Sequence, residues 1–152
     1  PYATYAGVAH LVAHAIFKAG LFLGVGVIDH ELGTRDVSKI GAARRSVPVS
    51  VVAIGACLLS MAGIPVLAGF FAKFFLLNQI ISSGFIGLAI VAIINSMIAV
   101  YYYFKIVVAM FTKEPVYAKE FANHSEYYIV GIVATVLLLL IGIFPDAILN
   151  LI

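Results

Sequence analysis

"GIPVLAGFFAK", Gly63 to Lys73, sits inside an apolar block that runs from Pro48 to Ile81. At 1.5 Å per residue that block would make a continuous helix about 51 Å long, against the roughly 30 Å of hydrocarbon that a membrane helix has to cross. Tilt absorbs part of the excess. Pro65 offers the fuller explanation, because it has no N–H to donate and its ring clashes with the preceding turn, while Gly63 and Gly69 tolerate backbone angles closed to other residues. The stretch therefore predicts a broken helix, with a simple proline kink as the plainer alternative. Backbone groups freed at membrane depth are tolerated only where they are buried in protein or face a wet cavity, so such a break points to an ion or substrate path.

Lys73 follows Pro65 by eight residues, which places it about 12 Å along the second half-helix with apolar neighbours on both sides. At that depth its stem reaches the interface with difficulty. A centrally placed lysine costs at least about 2.5–3.5 kcal/mol, and ionisable residues retained at that cost mark ion paths and proton relays. A lysine in such a place switches between charged and neutral forms when a neighbouring charge moves. The plainer reading is a lysine that anchors a helix end at the interface.

The whole chain has the composition of a membrane protein. Hydrophobic residues make up 64% of it and charged residues 11%, with a mean hydropathy of +1.15. These values predict an all-α integral membrane protein. A formal net charge of +2, with acids interspersed among the basic residues, gives no footprint for nucleic acid. The single Cys57 lies in an apolar run, so neither a disulfide framework nor a cysteine-rich metal site is expected. The chain opens on Pro1 and enters an apolar helix without the basic stretch and cleavage site of a signal peptide, and so reads as a fragment whose N-terminal part is missing.

Four apolar blocks follow one another without an internal repeat: about 5–28, 48–81, 85–111 and 128–152. Each exceeds the roughly 20 residues needed for a crossing, so residues 1–152 are expected to form a single membrane domain of four transmembrane helices, the second broken near Gly63–Pro65. The connectors are a polar loop over 29–47, a tight Ser82-Ser83-Gly84 turn and a second polar loop over 112–127. Arg35, Lys39, Arg44 and Arg45 fall in the first loop, Lys113 and Lys119 in the second, and no basic residue in the tight turn. The positive-inside rule then places both polar loops on the cytoplasmic side, or its organellar equivalent, with both chain ends outside.

The first block carries "HLVAHAIFKAGLF", His10 to Phe22. Residues four apart are helix neighbours, so His10, His14 and Lys18 make a stripe about 12 Å long. Imidazoles exchange protons near neutral pH, and the lysine supplies a charge whose field biases them. The stripe reads as a segment of a proton wire, against the alternative of core histidines with satisfied partners. A metal site is the weaker reading, because no carboxylate or cysteine in the block completes a ligand set.

Other polar residues admit two readings each. Lys105, four residues after Tyr101, and the hydroxyl-rich Tyr101-Tyr102-Tyr103 run beside it could extend a water network, or be a snorkelling lysine and an interfacial aromatic belt. Asn95 and Ser96 fit interhelical hydrogen bonds. Asp29, His30, Glu31 and Asp36 form a candidate proton exit at the mouth of the first helix, or simply a solvated loop. Glu114, Lys119, Glu120, His124 and Glu126 read as a solvent-facing connector, and Asp146, after Pro145, as an outer-surface residue.

Three stretches together, "HLVAHAIFKAGLFLGVGVIDHELGTRD", "LLSMAGIPVLAGFFAKFFLL" and "AVYYYFKIVVAMF", resemble the antiporter-like proton-translocating membrane subunits. These are the L, M and N subunits of respiratory complex I (NADH–quinone oxidoreductase), their relatives in membrane-bound hydrogenases, and the A and D subunits of multisubunit sodium/proton antiporters. The likeness covers nearly the whole chain. It implies a fold of about fourteen transmembrane helices, of which this chain would be the last four, with the His10, His14 and Lys18 helix on a central hydrophilic axis and Lys73 as the terminal lysine of a proton path. It also implies an essential Glu and Lys on earlier helices, beyond this sequence. The "IDHELGTRDVSKIG" loop is most similar to the A-type antiporter component, whereas "LSMAGIPVLAGFFAKF" and "YYYFK" are most similar to the N component of complex I.

The expected function is a proton-translocating subunit of an NADH–quinone oxidoreductase-type complex in a prokaryotic plasma membrane, relaying protons through Lys, His and water. An A- or D-type component of a sodium/proton antiporter and a hydrogenase subunit are the transport alternatives, with sodium as the other coupling ion. A purely structural membrane subunit is the non-transport alternative. Partners are expected to be other membrane subunits and the bilayer. No phosphate loop, nucleophile triad or redox-cofactor motif is present, so no catalytic residue, metal or bound cofactor is expected in this chain.

Overall fold

The computed structural model of the chain describes residues 2–37, 39–112 and 125–144, and these are helical with short connections and contain no strand. In chain order they form α1 (Tyr2–Leu32), a short 3-10 turn (Ile40–Ala42), α2 (Ala43–Ser46), α3 (Pro48–Ala62), α4 (Ala68–Ser82), α5 (Ile86–Thr112) and α6 (Ser125–Ile143). α1 and α5 are long and apolar enough to cross a membrane, while α3, α4 and the middle of α6 are shorter apolar helices. Glu114, Lys119, Glu120, His124 and Asp146 lie outside the described residues.

Several boundaries differ from those read in the sequence. α1 begins at Tyr2 and continues to Leu32, so His30 and Glu31 are helical rather than part of a loop beginning at 29. Nothing between Ile28 and Leu32 breaks a helix. The stop comes at Gly33, whose φ of 62° and N–H bond to the Asp29 carbonyl at 2.9 Å close the last turn. Beyond it, Arg35 Nε donates to Asp29 Oδ2 at 2.8 Å, and this carboxylate pushes the guanidinium pKa further up. The part of the expected 128–152 helix from 145 onward lies outside the described residues, and α6 runs over Ser125–Ile143, beginning three residues before the expected 128, with the chain leaving the helix at Phe144. Pro145 explains that end, because its ring disfavours helical angles at the preceding residue, Phe144.

The first polar connection is more ordered than a plain loop. Arg44 of α2 donates to the Phe111 carbonyl in the last turn of α5, one of the carbonyls a helix end leaves open. That bond sets the first basic connection and the C-terminal end of α5 at the same end of the bundle.

α3 is the central helix. Toward the Arg44 end, its Val51, Ile54 and Leu58 pack with Val27 and Ile28 of α1 and Met110 of α5. Toward the other end, Cys57 and Met61 pack with Ala13 and Phe17 of α1 and with Ala68 and Ala72 of α4. The small side chains of α4 let it approach closely, which matters in lipid, where helices associate through packing and polar contacts rather than by escaping water. α5 turns Ile90, Ile94 and Met97 outward, with exposures of 53%, 50% and 69%. An apolar face of that kind suits lipid or a neighbouring subunit.

Between α3 and α4 the helix is interrupted over 63–67. Gly63 has φ 91°, and its N–H reaches the Leu59 and Ser60 carbonyls at 3.1 and 3.0 Å. Val66, a β-branched residue, is held at φ 80°. Left-handed backbone at such a residue costs on the order of 1–3 kcal/mol. Val66→Gly is therefore expected to raise the melting temperature of the purified protein by a few degrees, a rise that thermal unfolding in detergent measures.

Candidate functional site

The interruption at 63–67 creates the first polar feature of the site. Gly63 and Ile64 N–H groups occupy the Leu59 and Ser60 carbonyls, which leaves the Met61 carbonyl at the end of α3 without an amide partner. Lys73 Nζ donates to that oxygen at 2.6 Å. The C-terminal end of a helix carries partial negative charge, so α3 offers an ammonium both a hydrogen bond and a favourable field. Across the same gap, Ser60 Oγ accepts the Gly69 N–H at 3.0 Å. A Cβ at Gly69 would overlap the Ser60 carbonyl, so only glycine lets the two half-helices come this close.

Beside Lys73 lies a cavity of about 200 Å³. His10, His14 and Phe17 of α1, Met61 of α3, and Asn95, Ser96, Ala99 and Tyr103 of α5 line it with Lys73. At about 30 Å³ per water molecule, it has room for several. The His10 and His14 rings are 6.2 Å apart between centroids and tilted by 40°, and His14 also meets the Phe17 ring edge-on at 5.1 Å. His10 Nδ1 is buried with no hydrogen-bond partner among the described residues. A buried ring nitrogen of that kind calls for water or a further polar group. His14 is exposed and so stands at the open rim, while Lys73 and His10 are half-buried.

The structure sorts the residues singled out in the sequence. His10, His14 and Lys73, which come from two distant stretches, meet at one cavity, and Gly63, Pro65 and Gly69 lie in or beside the interruption that positions Lys73. Lys18 does not line the cavity; its ammonium lies 5.5 Å above the Phe22 ring. Tyr101 and Lys105 are exposed on the far side of α5. His30 and Glu31 pair with each other at 3.4 Å, about 24 Å along α1 from His14 at 1.5 Å per residue.

Of the Tyr101–Tyr103 run the sequence named Tyr101 for the site, whereas the structure brings Tyr103 to the cavity, and the Met61 carbonyl was not foreseen. Tyr103 had a legible signal: Ser96, Ala99 and Tyr103 recur at helical spacing, so they share a face that Tyr101 and Lys105 do not. Its ring packs on Tyr102 at 4.5 Å between centroids, and the Tyr102 hydroxyl donates to that of Tyr103 at 3.4 Å. The Met61 carbonyl had none, because a backbone acceptor appears only once the helix end is known. Among the described residues, no three His, Cys, Asp or Glu side chains come together as metal ligands would.

Residues 2–99 match the family described as "NADH:quinone oxidoreductase/Mrp antiporter, TM". NADH-quinone oxidoreductase subunit N of Flavobacterium psychrophilum is 41% identical over 140 residues, which are 91% of this chain and 30% of that protein. The putative antiporter subunit mnhA2 of Staphylococcus haemolyticus is 44% identical over 79 residues, 52% of this chain and 10% of that protein. Among solved structures, the Mrp complex from Dietzia sp. DQ12-45-1b superposes with a TM-score of 0.85 at 23% identity, a likeness of fold that covers 97% of this chain and 36% of that one. Respiratory complex I from Thermus thermophilus with bound Aureothin gives 0.73 at 25% identity, covering 98% and 35%. The chain thus spans about a third of the length of the subunit N relative and of the two structural neighbours. It is an integral membrane member of the NADH:quinone oxidoreductase/Mrp antiporter transmembrane family.

Proposed function

We propose that the chain is a proton-translocating, antiporter-like subunit of an NADH-quinone oxidoreductase-type complex, and that protons pass between Lys73, His10 and His14 through water in the shared cavity. The observation that carries this reading is the meeting of those three side chains at one cavity beside the helix interruption. A ring spacing of 6.2 Å leaves the two imidazoles without a direct bond to each other, and one water, with hydrogen bonds of about 2.8 Å, spans such a gap. Lys73 binds a carbonyl that only accepts, so its proton is shared with the cavity on the ammonium's remaining N–H groups. Charge movement elsewhere in an assembly would shift the balance between ammonium and amine and drive release or uptake. Lys18, one helical turn beyond His14, contributes its field rather than a step in the path.

In this reading α3 and α4 together make one broken crossing, so the chain crosses four times, as the last four of about fourteen helices. The basic connections face the cytoplasm of a prokaryotic cell, and the outward face of α5 meets lipid or sister subunits. The subunit N relative supports the redox-driven form, because its match extends over 91% of the chain. A sodium/proton antiporter component is the second reading, supported by the antiporter subunit relative, 44% identical over 52% of the chain.

Vesicles containing the assembled complex separate the two. The redox reading expects proton uptake that needs NADH and quinone and persists without sodium. Uptake driven by a sodium gradient, with no response to NADH, would overturn it in favour of the antiporter. Within the site, His14→Phe keeps the aromatic contact with Phe17 but removes the exchangeable nitrogens, and is expected to slow uptake about tenfold, measured in the same vesicles. Lys18→Met, outside the cavity, is expected to slow it less than about threefold.

A further inference from the structure

We propose, resting on the relay reading above, that Ser60 is a positioning residue of the site: its hydroxyl holds the two half-helices in the register that brings the Lys73 ammonium onto the Met61 carbonyl. Ser60 has 0% exposure, in the middle of an otherwise apolar packing layer, where a hydroxyl without a partner would be costly. Its partner is the Gly69 N–H, in the first turn of α4. That turn begins after Leu67, which offers no side-chain cap, so α4 takes its cap from α3 across the interruption.

The geometry links this contact to the lysine. Lys73 follows Gly69 by four residues, one turn up the same face of α4. Met61 directly follows Ser60, so the anchor and the lysine's acceptor belong to one turn of α3. The backbones approach so closely at Gly69 that a single methyl group would not fit, which leaves little room for α4 to slide or rotate while the bond is intact. Without the hydroxyl, the Gly69 N–H loses its acceptor and α4 is free to shift. Lys73 then moves with respect to the Met61 carbonyl and to the titratable groups across the cavity, His10 and His14 of α1 and Tyr103 of α5.

Three replacements at one position test this in the assembled complex, with proton uptake into membrane vesicles and the amount of assembled complex both measured. Ser60→Ala removes the acceptor without adding bulk, Ser60→Cys keeps about the same size but accepts weakly, and Ser60→Thr keeps the hydroxyl. Uptake is expected to fall about fivefold or more in the Ala and Cys variants at wild-type assembly, and to return to within about twofold of wild type in the Thr variant. Amide exchange at Gly69 is expected to quicken at least about tenfold in Ser60→Ala, a readout that holds even if the Thr methyl prevents assembly. Wild-type uptake and unchanged Gly69 exchange in Ser60→Ala would overturn the proposal. Lys73→Met, measured alongside, separates the two levels: if it too pumps normally, the relay reading fails, whereas a Lys73→Met that no longer pumps beside a normal Ser60→Ala sinks the positioning role alone.

Discussion

Replacing Lys73 with methionine is expected to cut proton translocation by the assembled complex about a hundredfold, the scale on which a positioned proton-transfer group contributes, while the complex still accumulates in the membrane. Methionine has nearly the length and flexibility of lysine, so α4 keeps its packing and only the exchangeable group is lost. The Met61 carbonyl is left without its donor, at about 1–3 kcal/mol. That loss is offset, because an ammonium no longer has to be held away from water. Lys73→Arg sharpens the test. A guanidinium keeps the charge and can bond the same carbonyl, but it does not give up its proton. If Lys73 exchanges protons, the arginine variant is expected to be about as slow as the methionine variant; if only its charge matters, arginine restores the rate. Proton uptake by vesicles, normalised to assembled complex, distinguishes the two.

The second large effect is expected at Gly69. Its Cα lies so close to the Ser60 backbone that the methyl of Gly69→Ala would overlap the Ser60 carbonyl, backbone atoms that no rotamer change can move. Separating the half-helices would break both the Ser60 bond to Gly69 and the Lys73 bond to Met61. Overpacking of this kind costs about 1–3 kcal/mol or more, and the two polar bonds add to it. The expected outcome is a complex that assembles poorly or melts several degrees lower, with translocation lost in what remains. Gly87→Ala provides the contrast, since a Cβ there meets nothing within 4 Å. In the exposed first turn of α5 it is expected to be neutral or to stabilise by up to about 1 kcal/mol.

Much of this was legible from residue type and spacing, for reasons that can be named. Pro65 with Gly63 marks where the helix cannot continue, and the chain leaves the helix at Ala62 and resumes it at Ala68. The repeat of four through His10, His14 and Lys18 fixes a shared helical stripe, but not how far each side chain reaches into the cavity. Lys18 has a long stem and an aromatic neighbour one turn on, and it settles over Phe22. The run Tyr101, Tyr102 and Tyr103 is ambiguous in isolation, because three consecutive residues point in three directions, and only the packing of α5 against α3 and α4 selects Tyr103. The end of α1 depended on Gly33 rather than on the first charged residue, Asp29, since a charged side chain at a helix end does not stop the helix. The contact of Ser60 with Gly69 was beyond reach, because it is a tertiary backbone approach between two half-helices and leaves no local pattern beyond two small residues.

The relay requires that the cavity between α1, α4 and α5 be wet and join Lys73 to the imidazoles. A high-resolution structure of the assembled complex, with ordered water resolved, measures this directly. A connected chain of waters is expected to run from Lys73 Nζ to the His10 and His14 rings, with each step within about 3.2 Å. A dry cavity, or one filled by an apolar side chain from a neighbouring protein so that no polar path leaves Lys73, would contradict it.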